Sequence, residues 1–214
     1  MIVGSTRPGR VGLPVARWVV NRARVHGTFD VELANLAELA LPLLDEPRHP
    51  RLQRHQHEHT KRWSAVVATT DAFVFVTPEY EHGIAAPLKN ALDYLAVEWV
   101  HKPADIVSYG GISAGLRAVR QLKQVLGALQ VVRVGGGVPV PMIRERIEDG
   151  AVVGNEPMTR AVDAMLDELG TWHAVLVPLR GAAWPMRVPR RIVRCGRSGR
   201  RPVRTRCRAC AVRV

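Results

Sequence analysis

The chain has 214 residues, 47% of them hydrophobic, and a formal net charge of +12, which bounds it to one domain, or one domain with an appendage. No apolar run approaches the roughly 18–20 residues that would span a bilayer. The start lacks a basic stretch followed by a greasy one, so no secretory signal is read and a cytoplasmic setting is expected. The charge is unevenly spread. Residues 181–214 hold eleven Arg, no Asp or Glu, and all three cysteines (Cys195, Cys207, Cys210), leaving 20 basic against 19 acidic residues and no cysteine in 1–180. Thiol catalysis, disulfides and cysteine-ligated metal are therefore excluded from that body.

Met1, Ile2 and Val3 make a poor strand ahead of the run GSTRPGRVG (4–12). LPVARWVVNRARVHG then reads as a helix, with Leu13, Ala16, Val20 and Ala23 in a stripe and Gly27 as a stop. FDVELANL alternates like a strand, TKRWSAVVATT continues as a second helix, and AFVFVT suits a strand buried on both faces. After the loop PEYEHGIA comes the helix APLKNALDYLAV, with Pro87 in its first turn. ADIVSYGG is a fourth strand, LRAVRQLKQVLGAL a helix and QVVRV a fifth strand. RERIEDGAVVG carries an Asp149-Gly150 turn that predicts a hairpin, and Met158, Ala161, Val162, Met165 and Leu169 mark a last helix. Five strands separated by helices predict an α/β domain over 1–180 with a parallel sheet covered on both faces.

The opening loop places backbone N–H groups, two hydroxyls and the guanidinium groups of Arg7 and Arg10 just before a helix start. That combination suits a phosphate, although a Gly/Pro turn with two solvated arginines reads equally well from the loop alone. Gly4 and Gly9 have the spacing of a nucleotide-triphosphate loop, but Arg10 and Val11 stand where it needs Lys and a hydroxyl residue. The dinucleotide pattern is also absent, so a monophosphate bound without metal is the better candidate.

The second loop, TPEYEHGIAAPLKNALDYL, resembles the signature of the NAD(P)H-dependent FMN reductases of the flavodoxin-like superfamily, in Pro78, Glu79, Tyr80, Pro87, Leu88, Lys89, Asn90, Ala91 and Asp93. GSTRPGR resembles that family's FMN phosphate loop and SYGGISAGLRAVRQL its third glycine-rich loop, so the resemblance covers most of 2–180. It implies a flavodoxin-like, doubly wound, five-stranded parallel sheet of order 2-1-3-4-5, with a truncated first strand here. In that fold ligands sit beyond the carboxyl ends of strands 1 and 3. It further implies that Ser5, Arg7 and Arg10 hold the FMN phosphate. Pro78, Glu79, Tyr80 and Glu81 would line the flavin ring, largely through main chain, and Ser108, Gly110 and Gly111 would border its other side. Two positions depart from the family pattern. Glu81 stands where Asn is usual, putting a negative charge near the ring that would lower its potential, and Ile84 sits where an aromatic residue is common. Lys89, Asn90 and Asp93 are expected to serve helix packing and capping, and no side-chain acid or base is named, because the flavin carries the chemistry.

His55, His57, Glu58 and His59 are read as a solvated helix start rather than a metal site. LALPLLDEPRHP is a proline-broken surface connection that, by the resemblance, borders a neighbouring subunit in a homodimer or homotetramer. The tail from 181 is expected to be disordered. Three readings of it stay open: a non-native or frame-shifted extension, which the 27 Arg against 4 Lys favours, a solvated tail, or a nucleic-acid or membrane-surface contact. Because Ile2 and Val3 alone represent a strand that should be central, a late start or a weakened core is expected there. The function implied is an FMN-dependent oxidoreductase that passes hydride from NADPH or NADH to a small acceptor such as a quinone, azo compound, metal oxyanion or free flavin. A non-catalytic FMN electron carrier and an Arg-tail nucleic-acid binder are the alternatives.

Overall fold

The computed structural model describes residues 1–180; the expectations for the Arg-rich tail lie outside the described residues. Fourteen regular elements follow one another. They are β1 (Ile2–Val3), α1 (Gly12–His26), β2 (Ala34–Asn35), α2 (Leu36–Leu39), α3 (Glu58–Thr69), β3 (Phe73–Pro78), α4 (Ala86–Asp93), β4 (Pro103–Tyr109), α5 (Leu116–Ala128), β5 (Val132–Arg133), β6 (Val138–Val140), β7 (Ile147–Glu148), β8 (Ala151–Val152) and α6 (Glu156–Arg180). The main sheet is parallel, in the order β2-β1-β3-β4-β5, with β6 also paired to β4. This is the doubly wound order expected from the sequence. Among the described residues no helix is long and apolar enough to cross a membrane.

Both faces of the sheet are covered, which is why β3 and β4 read as near-continuous apolar runs and are buried along their whole length. Phe73, Phe75 and Ile106 face α3, α4 and α5, where Trp63, Leu88, Leu92 and Leu122, with Trp99 from the connection between α4 and β4, complete one core layer. Val3, Val74, Val76 and Val107 face the other way, against Val15 and Val19 of α1 and Val162, Met165 and Leu169 of α6. α1 stops where Gly27 adopts φ 79°, a left-handed C-cap.

β1 has only two residues, yet it is central and fully packed. Ile2 lies opposite Ala34 and Phe75, Val3 opposite Asn35 and Val76, and neither is more than 2% exposed. β2 differs from expectation: FDVELANL alternates like a full strand, but only Ala34 and Asn35 of it are paired, both with β1.

The fifth sheet position also differs, being split in two. β5 pairs with the start of β4 (Pro103↔Val132), and β6 pairs with its end (Val107↔Val138, Tyr109↔Val140). Between them the chain bulges around the fully buried Asp105, whose carboxylate accepts from the Gly137 N–H at 3.2 Å and pairs with Arg133 at 3.2 Å. Gly137 has φ 75°, and a Cβ there would meet the Ile106 carbonyl at 2.8 Å, so the bulge needs glycine. The hairpin forms as predicted, β7 against β8 around Asp149 and Gly150, both at positive φ.

The segment ahead of α3 is fastened by polar contacts. Asn90 donates to the Pro42 carbonyl and accepts from the Leu44 N–H, and Tyr94 donates to Asp45. Lys89 pairs with Asp93. The histidines are divided between separate carboxylates, His59 with Asp45 at 3.0 Å and His55 with Glu98 at 3.1 Å.

Burial pushes the Asp105 carboxyl up to about 6, offset in part by the Ile106 and Gly137 N–H groups and Arg133, while Glu168 of α6 adds to the rise. An acid whose folded pKa exceeds its unfolded value of about 3.9 holds its proton more tightly when folded. The folded state then binds more protons between about pH 4 and 6, so its contribution to stability falls as pH rises through that window. Asp105→Asn should flatten this fall, by about 2 kcal/mol across the window, in urea titrations at pH 4, 5, 6 and 7. Parallel curves for the two proteins would contradict the assignment.

Candidate functional site

Parallel pairing sends β1 and β3 out of the sheet in the same direction, so the turns that follow them stand side by side. A cavity of about 500 Å3 opens between them, lined by residues 7–11, 78–80, 109–111 and 142–145. A larger cavity, about 790 Å3, lies at the opposite ends of β1 and β3 and is walled largely by apolar side chains such as Trp63, Phe73, Leu166 and Leu169. Ligands of doubly wound sheets bind beyond the carboxyl ends of the strands, and the donors gather there too, so the smaller cavity is the candidate site.

The first wall is the loop from Gly4 into α1. The Gly4 N–H donates to the Val76 carbonyl and anchors it to β3, and the Arg10 N–H closes a turn on the Arg7 carbonyl. α1 begins without help: its N-cap, Val11, makes no side-chain cap, and the first turn holds no acidic residue. The first N–H groups of a helix have no intrahelical partner, and they carry positive partial charge. Ser5 is fully buried, its hydroxyl 2.6 Å from that of Tyr80. Arg10 is half-buried. One of its terminal nitrogens reaches the Asn35 side-chain oxygen at 3.4 Å, while its Nε is buried without a partner. Arg7 is exposed at the cavity mouth.

The second wall is the turn after β3. Pro78 and Tyr80 line the cavity. Tyr80 and Gly83 exchange both backbone hydrogen bonds, and the two residues between them, Glu81 and His82, have φ 43° and 64°. Such a left-handed pair favours Gly, Asn and Asp, which gives a backbone reason for an Asn at position 81. Here Glu81 holds the conformation with its side chain exposed. Glu79 also turns away from the cavity. Its carboxylate, 8% exposed, accepts from the Arg117 N–H at 2.9 Å and the Arg117 guanidinium at 2.6 Å. It thus caps α5 and ties the turn to that helix. The Ile84 N–H donates to the Gln121 side chain and makes a second tie.

The third wall is the end of β4. Gly110 and Gly111 line the cavity, whereas Ser108 is buried in the sheet beneath Gly115. The structure thus brings Arg7, Arg10, Pro78, Glu79, Tyr80, Gly110 and Gly111 around one cavity, with Ser5 hydrogen-bonded behind Tyr80. Ser108 lies in the sheet and Glu81 at the outer turn.

Two contributors were not picked out from the sequence. The turn after β6 reaches the site because the Ile143 N–H donates to the Gly110 carbonyl and the Met142 N–H to the Gly111 carbonyl. The apolar pair Val138 and Val140 after three glycines was the available signal. Tyr109, the last residue of β4, is 4% exposed and lines the cavity, and its hydroxyl has no hydrogen-bond partner. Nothing in SYGG separates it from a core aromatic.

An uncapped helix start, an unpaired buried guanidinium nitrogen and an unpaired buried hydroxyl fit an anionic group with several acceptor oxygens, such as a phosphate monoester. The second and third walls present main chain, proline and glycine, which suits a planar ring.

A model of the NADPH-dependent FMN reductase family matches residues 1–144. The chain is 41% identical over 155 residues to an NAD(P)H-dependent FMN reductase of Schizosaccharomyces pombe, covering 71% of this chain and 76% of the relative. It is 33% identical over 103 residues to an NADPH azoreductase of a Bacillus strain, covering 47% and 56%. Among solved structures, the flavoenzyme NAD(P)H:(acceptor) oxidoreductase FerB of Paracoccus denitrificans aligns with a TM-score of 0.64 at 22% identity, over 82% of this chain and 96% of that one. It shares the fold.

Burial opposes ionisation of Glu79, but the Arg117 guanidinium and the N–H groups of Arg117 and Ala118 outweigh it and hold its carboxyl below the usual range. A lowered acid contributes stability above its unfolded pKa and loses it as pH falls through the folded value. Glu79→Ala is expected to cost about 2 kcal/mol at pH 7 and to reduce the loss seen on acidification below about pH 4.5. Denaturant titrations at pH 7 and pH 3.5 check both. A variant as stable as the parent at pH 7 would show that the tie between the turn and α5 contributes nothing.

Proposed function

The chain belongs to the NADPH-dependent FMN reductase family, and we propose that the cavity at the ends of β1, β3 and β4 holds its flavin. The protein is a flavin-dependent oxidoreductase whose cofactor is FMN. Bound FMN supplies the two-electron chemistry, hydride in from NAD(P)H and electrons out to the acceptor. The chain's own residues bind, orient and limit access.

In this reading the start of α1, Ser5, Arg7 and Arg10 hold the phosphate. Pro78, Glu79 and Tyr80 present main chain to the ring on one side. Gly110 and Gly111 border it on the other, where absent side chains permit close approach. Glu81 and Ser108, expected from the resemblance to join them, do not line the cavity: Glu81 is exposed at the outer turn and Ser108 is buried in the sheet. The observation that carries the reading is the uncapped start of α1, with the buried unpaired Nε of Arg10 beside it, sharing one cavity with the Pro78–Tyr80 turn.

NAD(P)H and the acceptor use the same open face in turn, which predicts ping-pong kinetics. The acceptor is a small oxidised molecule of the quinone, azo, metal-oxyanion or free-flavin type; similarity to an azoreductase supports the azo class. The proposed setting is the cytoplasm, where reduced nicotinamide is supplied. FMN-loaded protein should oxidise NADPH or NADH with parallel double-reciprocal lines when a quinone is varied. Arg10→Ala and Arg7→Ala should each weaken FMN binding, the half-buried Arg10 by the larger factor, about tenfold to a hundredfold. Unchanged FMN affinity in both variants, measured by flavin fluorescence titration, would remove the phosphate assignment.

The subunit is proposed to act as a homodimer or homotetramer. The segment clamped by Asn90 and Tyr94 presents Leu43, 82% exposed, on a fixed backbone, with Leu44 and Leu52 exposed nearby in sequence. Exposed leucines on a fastened loop suit a partner surface. Leu43→Glu should shift the protein toward monomer in sedimentation velocity; an unaltered oligomer distribution would place the interface elsewhere.

A further inference from the structure

Tyr109 occupies a position that a phenylalanine would fill equally well as packing. It ends β4, opposite Pro78 of β3 and Val140 of β6, and its ring belongs to the core layer on the α1 and α6 side. Its hydroxyl is what needs a reason. The residue is 4% exposed and the hydroxyl has no hydrogen-bond partner. A buried hydroxyl left unpaired costs about 1–3 kcal/mol, so the group is expensive unless something outside the protein completes it.

The direction of the side chain indicates what that is. A Cβ added to Gly12 would meet the Tyr109 hydroxyl oxygen at 2.5 Å. Gly12 is the first residue of α1, so the phenol runs from the end of one strand to the start of the helix that follows another. Only glycine leaves room for it there. At that point the helix has no side-chain cap and no acid in its first turn, and the buried Arg10 Nε is also unpaired. An orphaned buried hydroxyl therefore meets an uncapped helix start, two residues after Arg10, whose charge is felt by the phenol. The polar groups nearest the phenol are Arg10, Tyr80 and Ser5; the Ser5 hydroxyl bonds to Tyr80 and also lies close enough to Tyr109 to favour its ionised form, but not in the geometry of a hydrogen bond to it.

We propose that the Tyr109 hydroxyl donates a hydrogen bond to the phosphate of the bound cofactor, making Tyr109 a residue that selects FMN over the unphosphorylated flavin. The assignment rests on the FMN reading above and adds to it a ligand from β4, so that β1, through α1, and β4 grip the same phosphate. Burial, with Tyr80 adjacent, pushes the phenol well above its ordinary range, opposed by Ser5 and Arg10. It therefore stays protonated and able to donate at neutral pH.

Tyr109→Phe removes the hydroxyl and keeps the ring. Affinities of the wild type and the variant for FMN and for riboflavin, measured by fluorescence titration, separate a phosphate contact from a general one. A hydrogen bond to a charged group is worth about 1.5–3 kcal/mol, so FMN affinity should fall about tenfold to a hundredfold. Riboflavin affinity should stay within about twofold. The flavin-free variant should unfold at the same temperature as the parent or higher, because the lost hydroxyl had no protein partner, while the rise in unfolding temperature on adding FMN should shrink. Equal losses for both flavins, an unchanged FMN affinity, or a destabilised flavin-free variant would each overturn the proposal. A correctly folded wild type that binds neither flavin would instead overturn the FMN reading, and this assignment with it.

Discussion

The site depends on a short parallel pairing. Ile2 and Val3 sit between β2 and β3, and the Gly4 N–H adds one more bond to the Val76 carbonyl. Strands paired in parallel leave the sheet at the same edge. The Gly4–Val11 loop and the Pro78–Gly83 turn therefore emerge side by side, although 66 residues separate them in the chain. Two residues of ladder are little backbone pairing. Their burial between two core layers supplies the remaining constraint, and each large apolar side chain buried there contributes about 1.5–3 kcal/mol.

Around that junction the charged side chains divide their labour. Those already paired act as fasteners: Glu79 joins the second turn to α5, Asp105 gathers the bulge before β6, and Lys89 and Asp93 neutralise each other on α4. Of the groups left unpaired, the Tyr109 hydroxyl faces the start of α1, and the Arg10 Nε belongs to the loop that leads into it. A binding site built this way spends its fixed side chains on holding loops still and leaves backbone, glycine and proline toward the proposed ring. That fits an enzyme whose cofactor carries the chemistry, because the protein then needs position more than reactive groups.

Asp105 shows how far this support reaches. Its carboxylate interrupts the fifth sheet position, so the chain re-enters as β6 beside the end of β4. From there the turn after Val140 bonds to Gly110 and Gly111. A buried acid roughly mid-strand thus determines how a glycine pair at the rim is held. The glycines at 135 and 137 are needed because the carboxylates of Asp105 and Glu168 and the Ile106 carbonyl occupy the space a side chain would take.

Much of the fold was legible without coordinates. The α1 stripe through Ala16, Val20 and Ala23, the all-apolar run of β3 and the Asp149-Gly150 turn follow from local rules of period and backbone preference, although Leu13, read into that stripe, is only half-buried and Val15 and Val19 complete the buried face. Such rules act over a few residues and survive any tertiary context that buries the right face. The motif at 78–93 also identified the family from the sequence. What the sequence could not decide were features set by partners distant in the chain. The fifth position is split where the buried Asp105 takes its hydrogen bonds; the side chains of Glu79 and Ser108 point away from the cavity because α5 and the sheet claim them. The unpaired hydroxyl of Tyr109 is of the same kind. Whether a buried polar group has a partner depends on every element packed around it, and only the assembled tertiary structure settles that.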